Sequence, residues 1–173
     1  MGWKIPKKRN KLLLLTILLL ASSCWYYSFK GTLPLHIKTI AIPTFDNQTA
    51  EFNIEETITD GIRAQFIQEN ILKLRDENDS DSILSGKILS VTDSPLVYKD
   101  TQLGEEVEEY RVTIKVSIEW YDRINDKIIL KKQITGYGDY DPSGATDNTR
   151  EKALDEAIKQ ISEEIINSIL AIW

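Results

Sequence analysis

Arg111-Val112-Thr113-Ile114-Lys115-Val116-Ser117-Ile118-Glu119-Trp120 is the stretch on which the fold turns. Val112, Ile114, Val116, Ile118 and Trp120 alternate with Arg111, Thr113, Lys115, Ser117 and Glu119. Successive side chains of an extended chain point to opposite faces, so this segment has one apolar and one polar face. That is the signature of an antiparallel strand with one side in a core and the other in water. Downstream, Asn125 and Asp126 supply turn residues, and residues 127–137 return as the hairpin partner. Upstream, residues 82–91 read as a further strand with Gly86 in its middle, preceded by a polar turn over 76–81.

Working outward, His-Ile-Lys-Thr-Ile-Ala-Ile at 36–42 reads as the first strand and is stopped by Pro43. A polar loop over 44–51 leads to Asn53, with Glu56 three residues later, a variant of the capping box in which Asn53 would accept from the first turn. Ile54, Ile58, Ile62 and Phe66, then Ile67 and Ile71, recur at helical spacing and predict an amphipathic helix of about 17 residues. Gly61 inside it hints at close packing, because glycine there otherwise costs about 1 kcal/mol against alanine. Asp141-Pro142-Ser143-Gly144 breaks the sheet. A second helix follows over 148–171, with Leu154, Ile158, Ile161, Ile165, Ile169 and Ile172 on one face. Two amphipathic helices need one sheet face to cover. The expectation for 35–173 is therefore a single α+β domain, a two-layer sandwich with a four-stranded mixed sheet covered on one face, in the order βαβββα.

The N-terminal residues carry a different message. Lys4, Lys7, Lys8, Arg9 and Lys11 precede an apolar run from Leu12 to Leu20 that only Thr16 interrupts. Ala21, Ser22 and Ser23 follow, and then Cys24. The run is shorter than the roughly 20 residues a spanning helix needs, and the whole reads as a secretory signal over 1–23. Small residues directly before a cysteine form a lipobox, with Ala21 standing where leucine is usual. Cys24 is the sole cysteine, so no internal disulfide competes for it; a covalent lipid on its thiol is the expected modification, and no other cofactor is expected. Residues 24–34 form a short lead rich in aromatics, with Trp25, Tyr26, Tyr27 and Phe29.

The chain has 21 Lys+Arg against 27 Asp+Glu, a net charge of −6, and removal of the five leader cations makes it −11. Such acidity argues against nucleic acid as a partner. A single histidine, His36, and a cysteine committed to the anchor leave no Ser-His or Cys-His pair and no ordinary His/Cys metal set. Asp139 with Asp141, and Asp76 with Asp79 and Asp81, lack the spacing of a calcium loop and read as solvated turn acids. Two groups remain as candidate partner contacts. The aromatic lead of Trp25, Tyr26, Tyr27 and Phe29 suits either a partner or the membrane interface. Arg123, Lys127 and Lys131, with Lys132, make a local cationic cluster around the last hairpin, although Lys131 and Lys132 must face opposite sides of a strand. Edge-strand protection against aggregation is the competing explanation for them.

Three segments taken together resemble the LptE lipoproteins of Bacteroidota-type bacteria: Cys24-Trp25-Tyr26-Tyr27-Ser28-Phe29-Lys30-Gly31, Ile40-Ala41-Ile42-Pro43-Thr44-Phe45-Asp46-Asn47 and Asp81-Ser82-Ile83-Leu84-Ser85-Gly86-Lys87-Ile88. The resemblance implies two helices packed on a four-stranded sheet. It further implies an outer-membrane lipoprotein, anchored through its lipid, that plugs an LptD-like β-barrel and helps it assemble and deliver lipopolysaccharide, itself a candidate ligand. No surface-export run of charges follows Cys24, so the domain is expected on the periplasmic face. The second segment by itself also resembles TolB, LpoB and CsgG-type proteins, which leaves a regulator of a cell-wall synthase as the alternative. About ten residues separate Cys24 from the first strand, some 35 Å when extended, which is short for a reach across the periplasm.

Overall fold

The alternating stretch forms the centre of the sheet, and every one of its apolar residues is buried. The computed structural model describes residues 36–101, 104–144 and 146–172, all within the unit Thr32–Trp173. The expected leader, Cys24, Trp25, Tyr26, Tyr27 and Phe29 lie outside the described residues. The elements in chain order are β1 (Thr39–Ala41), β2 (Asp46–Asn47), α1 (Ile54–Glu69), β3 (Lys73–Leu74), a 3-10 turn (Glu77–Asp79), β4 (Ser82–Thr101), β5 (Gly104–Asp122), β6 (Lys127–Tyr140) and α2 (Arg150–Ala171). The strands lie in the order β3-β1-β4-β5-β6, with β2 also paired to β4. β1 runs parallel to β3 and β4, while β4, β5 and β6 are antiparallel to one another.

This is the mixed-sheet, two-layer α+β architecture expected from the sequence. Ile58, Ile62 and Phe66 of α1 and Ile161, Ile165 and Ile169 of α2 share one core with Leu84, Ile88, Ile114, Ile118 and Trp120 of the sheet. Two strands were not foreseen, β2 and β3, and each is two residues long, too short to carry an alternation. β4 and β5 also run well past 91 and 111. The β5–β6 ladder ends at the pair Tyr110–Tyr140, whereas β4 and β5 continue together to Thr101–Gly104 as a two-stranded arm. Register shifts at Ile88/Ser90, Pro95/Val97 and Val97/Tyr98 mark bulges in this half of the hairpin, each adding local twist.

Two local expectations are corrected. Asn53 sits at the N-terminus of α1 with φ 59°, in the left-handed region, and its side chain makes no capping hydrogen bond. Its carbonyl, not its side chain, serves the first turn by accepting from the Thr57 N–H. Ile67 is 68% exposed, because it follows Phe66 directly and falls a full 100° round the helix from the buried row. α2, by contrast, is capped by the Thr149 hydroxyl, which accepts from the Lys152 N–H.

Glycine decides how closely the layers approach. A Cβ at Gly136 would overlap the Ala157 carbonyl, and one at Gly138 the Ala153 carbonyl, so the backbone of α2 rests directly on β6. Gly61 meets the Ile158 side chain rather than backbone where α1 packs on α2, and Gly86 leaves the space filled by the Phe45 ring. Gly138→Val should therefore cost about 3 kcal/mol or more, since the obstacle is backbone rather than a movable side chain. Thr135→Val, on the exposed face of the same strand, should stay within about 0.5 kcal/mol of the parent. Urea unfolding of the two variants checks the contrast.

Candidate functional site

At one end of the sheet the polypeptide comes in through His36, and a set of polar residues fastens it there. Asp122, at the end of β5, is fully buried. Its carboxylate accepts from His36 Nε2 at 2.7 Å, from the Asn125 side chain at 2.9 Å, and from the backbone N–H groups of Ile124 and Asn125 at 2.9 and 3.1 Å. Burial pushes the acid toward its neutral form, but the donors outweigh it and hold the pKa down at about 2. One strand away, Asp81 accepts from the backbone N–H groups of Lys38 and Thr39, both at 2.9 Å. The Lys38 amide leads the causes that lower its pKa. Arg123 donates to the carbonyls of Glu77 and Ser80, tying the 3-10 turn to the end of β5.

The opposite end carries a second cluster. Arg150, the first residue of α2, binds both oxygens of Glu51 at 2.8 and 3.1 Å and both oxygens of Asp93 at 3.0 and 2.9 Å. Asp93 also accepts from the Tyr140 hydroxyl at 3.0 Å, and its pKa is lowered, first by Arg150. Tyr140 stacks on Tyr110 with ring centroids 5.7 Å apart. Beyond this clamp the arm exposes Leu96, Val97 and Tyr98.

Between the two ends lies the uncovered sheet face. Arg111 forms a bidentate pair with Asp139 at 2.6 and 2.9 Å and lies 4.4 Å over the Tyr137 ring. A shallow depression of about 360 Å³ is lined by Ser85, Lys87, Ser117, Glu119 and Lys131. The face is polar and wet, as the alternation at 111–120 requires.

The three cationic candidates are not brought together. Arg123 is engaged with carbonyls at the His36 end, Lys127 opens β6 in an exposed position, and Lys131 pairs with Glu119 at 3.1 Å on the open face. Lys132 points to the other side and binds Glu164 and Ser168 of α2. β6 is an edge strand. Gln160 of α2 covers its edge by accepting from the Tyr137 N–H. The description of the acids as solvated turn residues needs correcting for Asp81 and Asp139, while Asp141 keeps it. Asp81 caps β1, Asp139 is held by Arg111, and Asp141 accepts from the backbone and hydroxyl of Ser143. The Asp122 clasp went unrecognised in the sequence, although an aspartate followed two and three residues later by backbone donors, with Asn125 among them, is an Asx-turn signal. The Glu51–Arg150 pair spans 99 residues and leaves no local trace. Among the described residues no three His, Cys, Asp or Glu side chains are placed to hold a metal ion. Among the same residues no helix is long and apolar enough to cross a membrane.

The fold recurs in solved bacterial proteins. A Xanthomonas campestris protein is 11% identical with a TM-score of 0.55, covering 80% of this chain and 89% of that one. PelC from Paraburkholderia phytofirmans, solved as a dodecamer, is 13% identical with a TM-score of 0.53, covering 82% and 92%. The rare lipoprotein B of Shewanella oneidensis is 21% identical with a TM-score of 0.50, covering 77% and 94%. At such identities the likeness is one of fold. No curated protein matches the sequence. The family model of LptE, described as lipopolysaccharide-assembly, matches residues 37–169, nearly the whole described domain. The chain belongs to the LptE family.

The folded-state pKa of Asp122 lies below its unfolded value of 3.8, so its contribution to stability is complete above that value and is lost as the pH falls toward about 2. Asp122→Asn should flatten the stability profile between pH 4 and pH 2 relative to the parent. Urea midpoints measured across that interval check the sign.

Proposed function

We propose that this LptE-family chain is a lipid-anchored, non-enzymatic assembly factor of the outer membrane. Its leader over 1–23 is removed, Cys24 carries the lipid, and the domain sits on the periplasmic side as the plug of an LptD-like β-barrel that delivers lipopolysaccharide. The observation that carries this reading is the lipopolysaccharide-assembly family match over residues 37–169. The sequence before the domain supports it, because a charged, short apolar leader running into a sole cysteine is what lipidation requires. Two or more acyl chains make such an anchor stable.

The domain offers what a plug needs. A domain of this length has a radius of gyration of about 14 Å. Barrels of about 16–18 strands leave an open channel and those of about 22 enclose a plug, so the partner belongs to the larger class. The polar open face of β4, β5 and β6 suits the polar lumen of a barrel better than it suits lipid. Trp25, Tyr26, Tyr27 and Phe29 are then contacts to the barrel rim or the lipid interface, and Arg123, Lys127 and Lys131 are candidate contacts to the barrel or to lipopolysaccharide.

Mass spectrometry of proteins that co-purify with a C-terminally tagged form from detergent-solubilised membranes tests the reading. The expected outcome is a large outer-membrane barrel at near one-to-one ratio, and a mature N-terminus at Cys24 bearing acyl chains. A cell-wall synthase in its place, or no barrel at all, would move the function to the regulator class.

A further inference from the structure

The β4–β5 arm leaves one lane of the sheet open. β6 parts from β5 at the pair Tyr110–Tyr140, while β4 stays paired with β5 as far as Thr101–Gly104. Over 105–109 the backbone groups of β5 that turn away from β4 therefore meet no strand among the described residues. At about 3.3 Å per residue the open lane is about 16 Å long. The segment 141–146 walls it on one side and encloses with the arm a groove of about 360 Å³, lined by Lys99, Glu106, Glu108, Asp141 and Thr146. That wall is held in place: the Asp141 N–H donates to the Asn148 carbonyl at 3.0 Å, and the Asp141 carboxylate accepts from Ser143. Edge strands are ordinarily blunted by proline, by bulges or by charge. On the arm Pro95 removes a donor from β4, whereas β5 has no proline and its edge carries charge. Asp100, Glu105, Glu106, Glu108 and Glu109 stand there against Lys99. The arginines at the arm's base do not offset them, because Arg111 is taken by Asp139, and Arg150 by Glu51 and Asp93.

We propose that this lane takes an extended cationic segment of the barrel partner as an added strand, paired with β5 over 105–109 in line with β6. The proposal rests on the plug reading above. Strand addition draws affinity from main-chain hydrogen bonds along an open edge, and the side chains flanking that edge choose the occupant. Here they decide against a second copy of this chain, because pairing two such edges sets glutamates against glutamates. A segment bearing Lys or Arg instead gains opposite-charge pairs across the strands and satisfies the open backbone groups of β5. Leu96, Val97 and Tyr98 of β4, exposed on the same arm, extend the contact with apolar surface. The wall of a closed barrel has its own backbone groups paired, so the added strand comes from a loop or chain end that enters the lumen.

The test uses the full lipidated chain in detergent, alone and in complex with the barrel that co-purifies with it. Hydrogen exchange read by mass spectrometry should find the 105–109 amides that face the lane about tenfold or more slower in the complex than in the free chain. Val107→p-benzoylphenylalanine should crosslink on illumination to a segment of the barrel that carries Lys or Arg and lies outside its wall strands. Glu106→Lys with Glu108→Lys should weaken the complex about tenfold or more with no change in melting temperature. Asp155→Lys with Glu156→Lys makes the same change of charge on the exposed face of α2 and should leave the complex intact. If the complex forms and 105–109 exchange as fast as in the free chain, the inference is overturned while the plug reading stands. Equal weakening by the two lysine pairs would also overturn it, by reducing the contact to general attraction. Slow exchange at 105–109 that appears without the barrel as the chain is concentrated would give the lane to a second copy and overturn it as well. If no barrel co-purifies, the plug reading and the inference fall together.

Discussion

The structure depends on the direct contact between the backbone of α2 and the two glycines of β6. Ala153 and Ala157 lie over Gly138 and Gly136 with no room for a Cβ between the layers. That spacing sets the height of α2 above the sheet, and with it the depth at which Ile161, Ile165 and Ile169 reach Ile114, Ile118 and Trp120. α1 takes its position in turn from α2, through the approach of Gly61 to Ile158. Close-packed interiors transmit small displacements, so the glycine pair governs the packing of the far helix as well as the near one.

The two ends of the sheet are built on different principles. At the His36 end a buried carboxylate gathers short-range donors around one turn, and at the arm end Arg150 bridges two acids from distant elements. Arg150 is paired with two carboxylates, whereas Asp81 and Arg123 are met by backbone amides and carbonyls, so each buried or half-buried ion is hydrogen-bonded even where no opposite charge faces it. The exposed face between them carries two ion pairs, Lys131 with Glu119 and Arg111 with Asp139, together with the exposed cations Lys87 and Lys115.

Much of this was legible in the sequence where one physical cause acts alone. The strand at 111–120 and the helix at 150–171 each bury one face, and burial imprints a period of 2.0 or 3.6 on the residues. The arm beyond Tyr110 was not legible, because it extends past the third strand, exposes Leu96, Val97 and Tyr98, and so carries no alternation. Pro95 and the acids Glu106, Glu108 and Glu109 disfavour a strand locally, and the cross-strand ladder overrides them. Asn53 misled because the same residue type serves as a side-chain cap and as a left-handed turn residue, and the structure uses the second. Arg123, Lys127 and Lys131 are neighbours in sequence, but Arg123 is held by carbonyls at the end of β5, Lys127 stands exposed at the start of β6 and Lys131 pairs with Glu119, contacts that no local pattern announces.

The clasp at His36 has a mechanical consequence. β1 is three residues long and is joined to β3 and β4 by two residue pairs each, a weak grip for a strand that receives the incoming chain. Tension applied along that chain does not reach β1 first. It is taken up by the His36–Asp122 bond and delivered to β5, then by the two amides that Asp81 holds and delivered to β4. These are the two longest strands of the sheet. Load therefore passes into two extended ladders instead of falling on the four residue pairs that hold β1 between its neighbours.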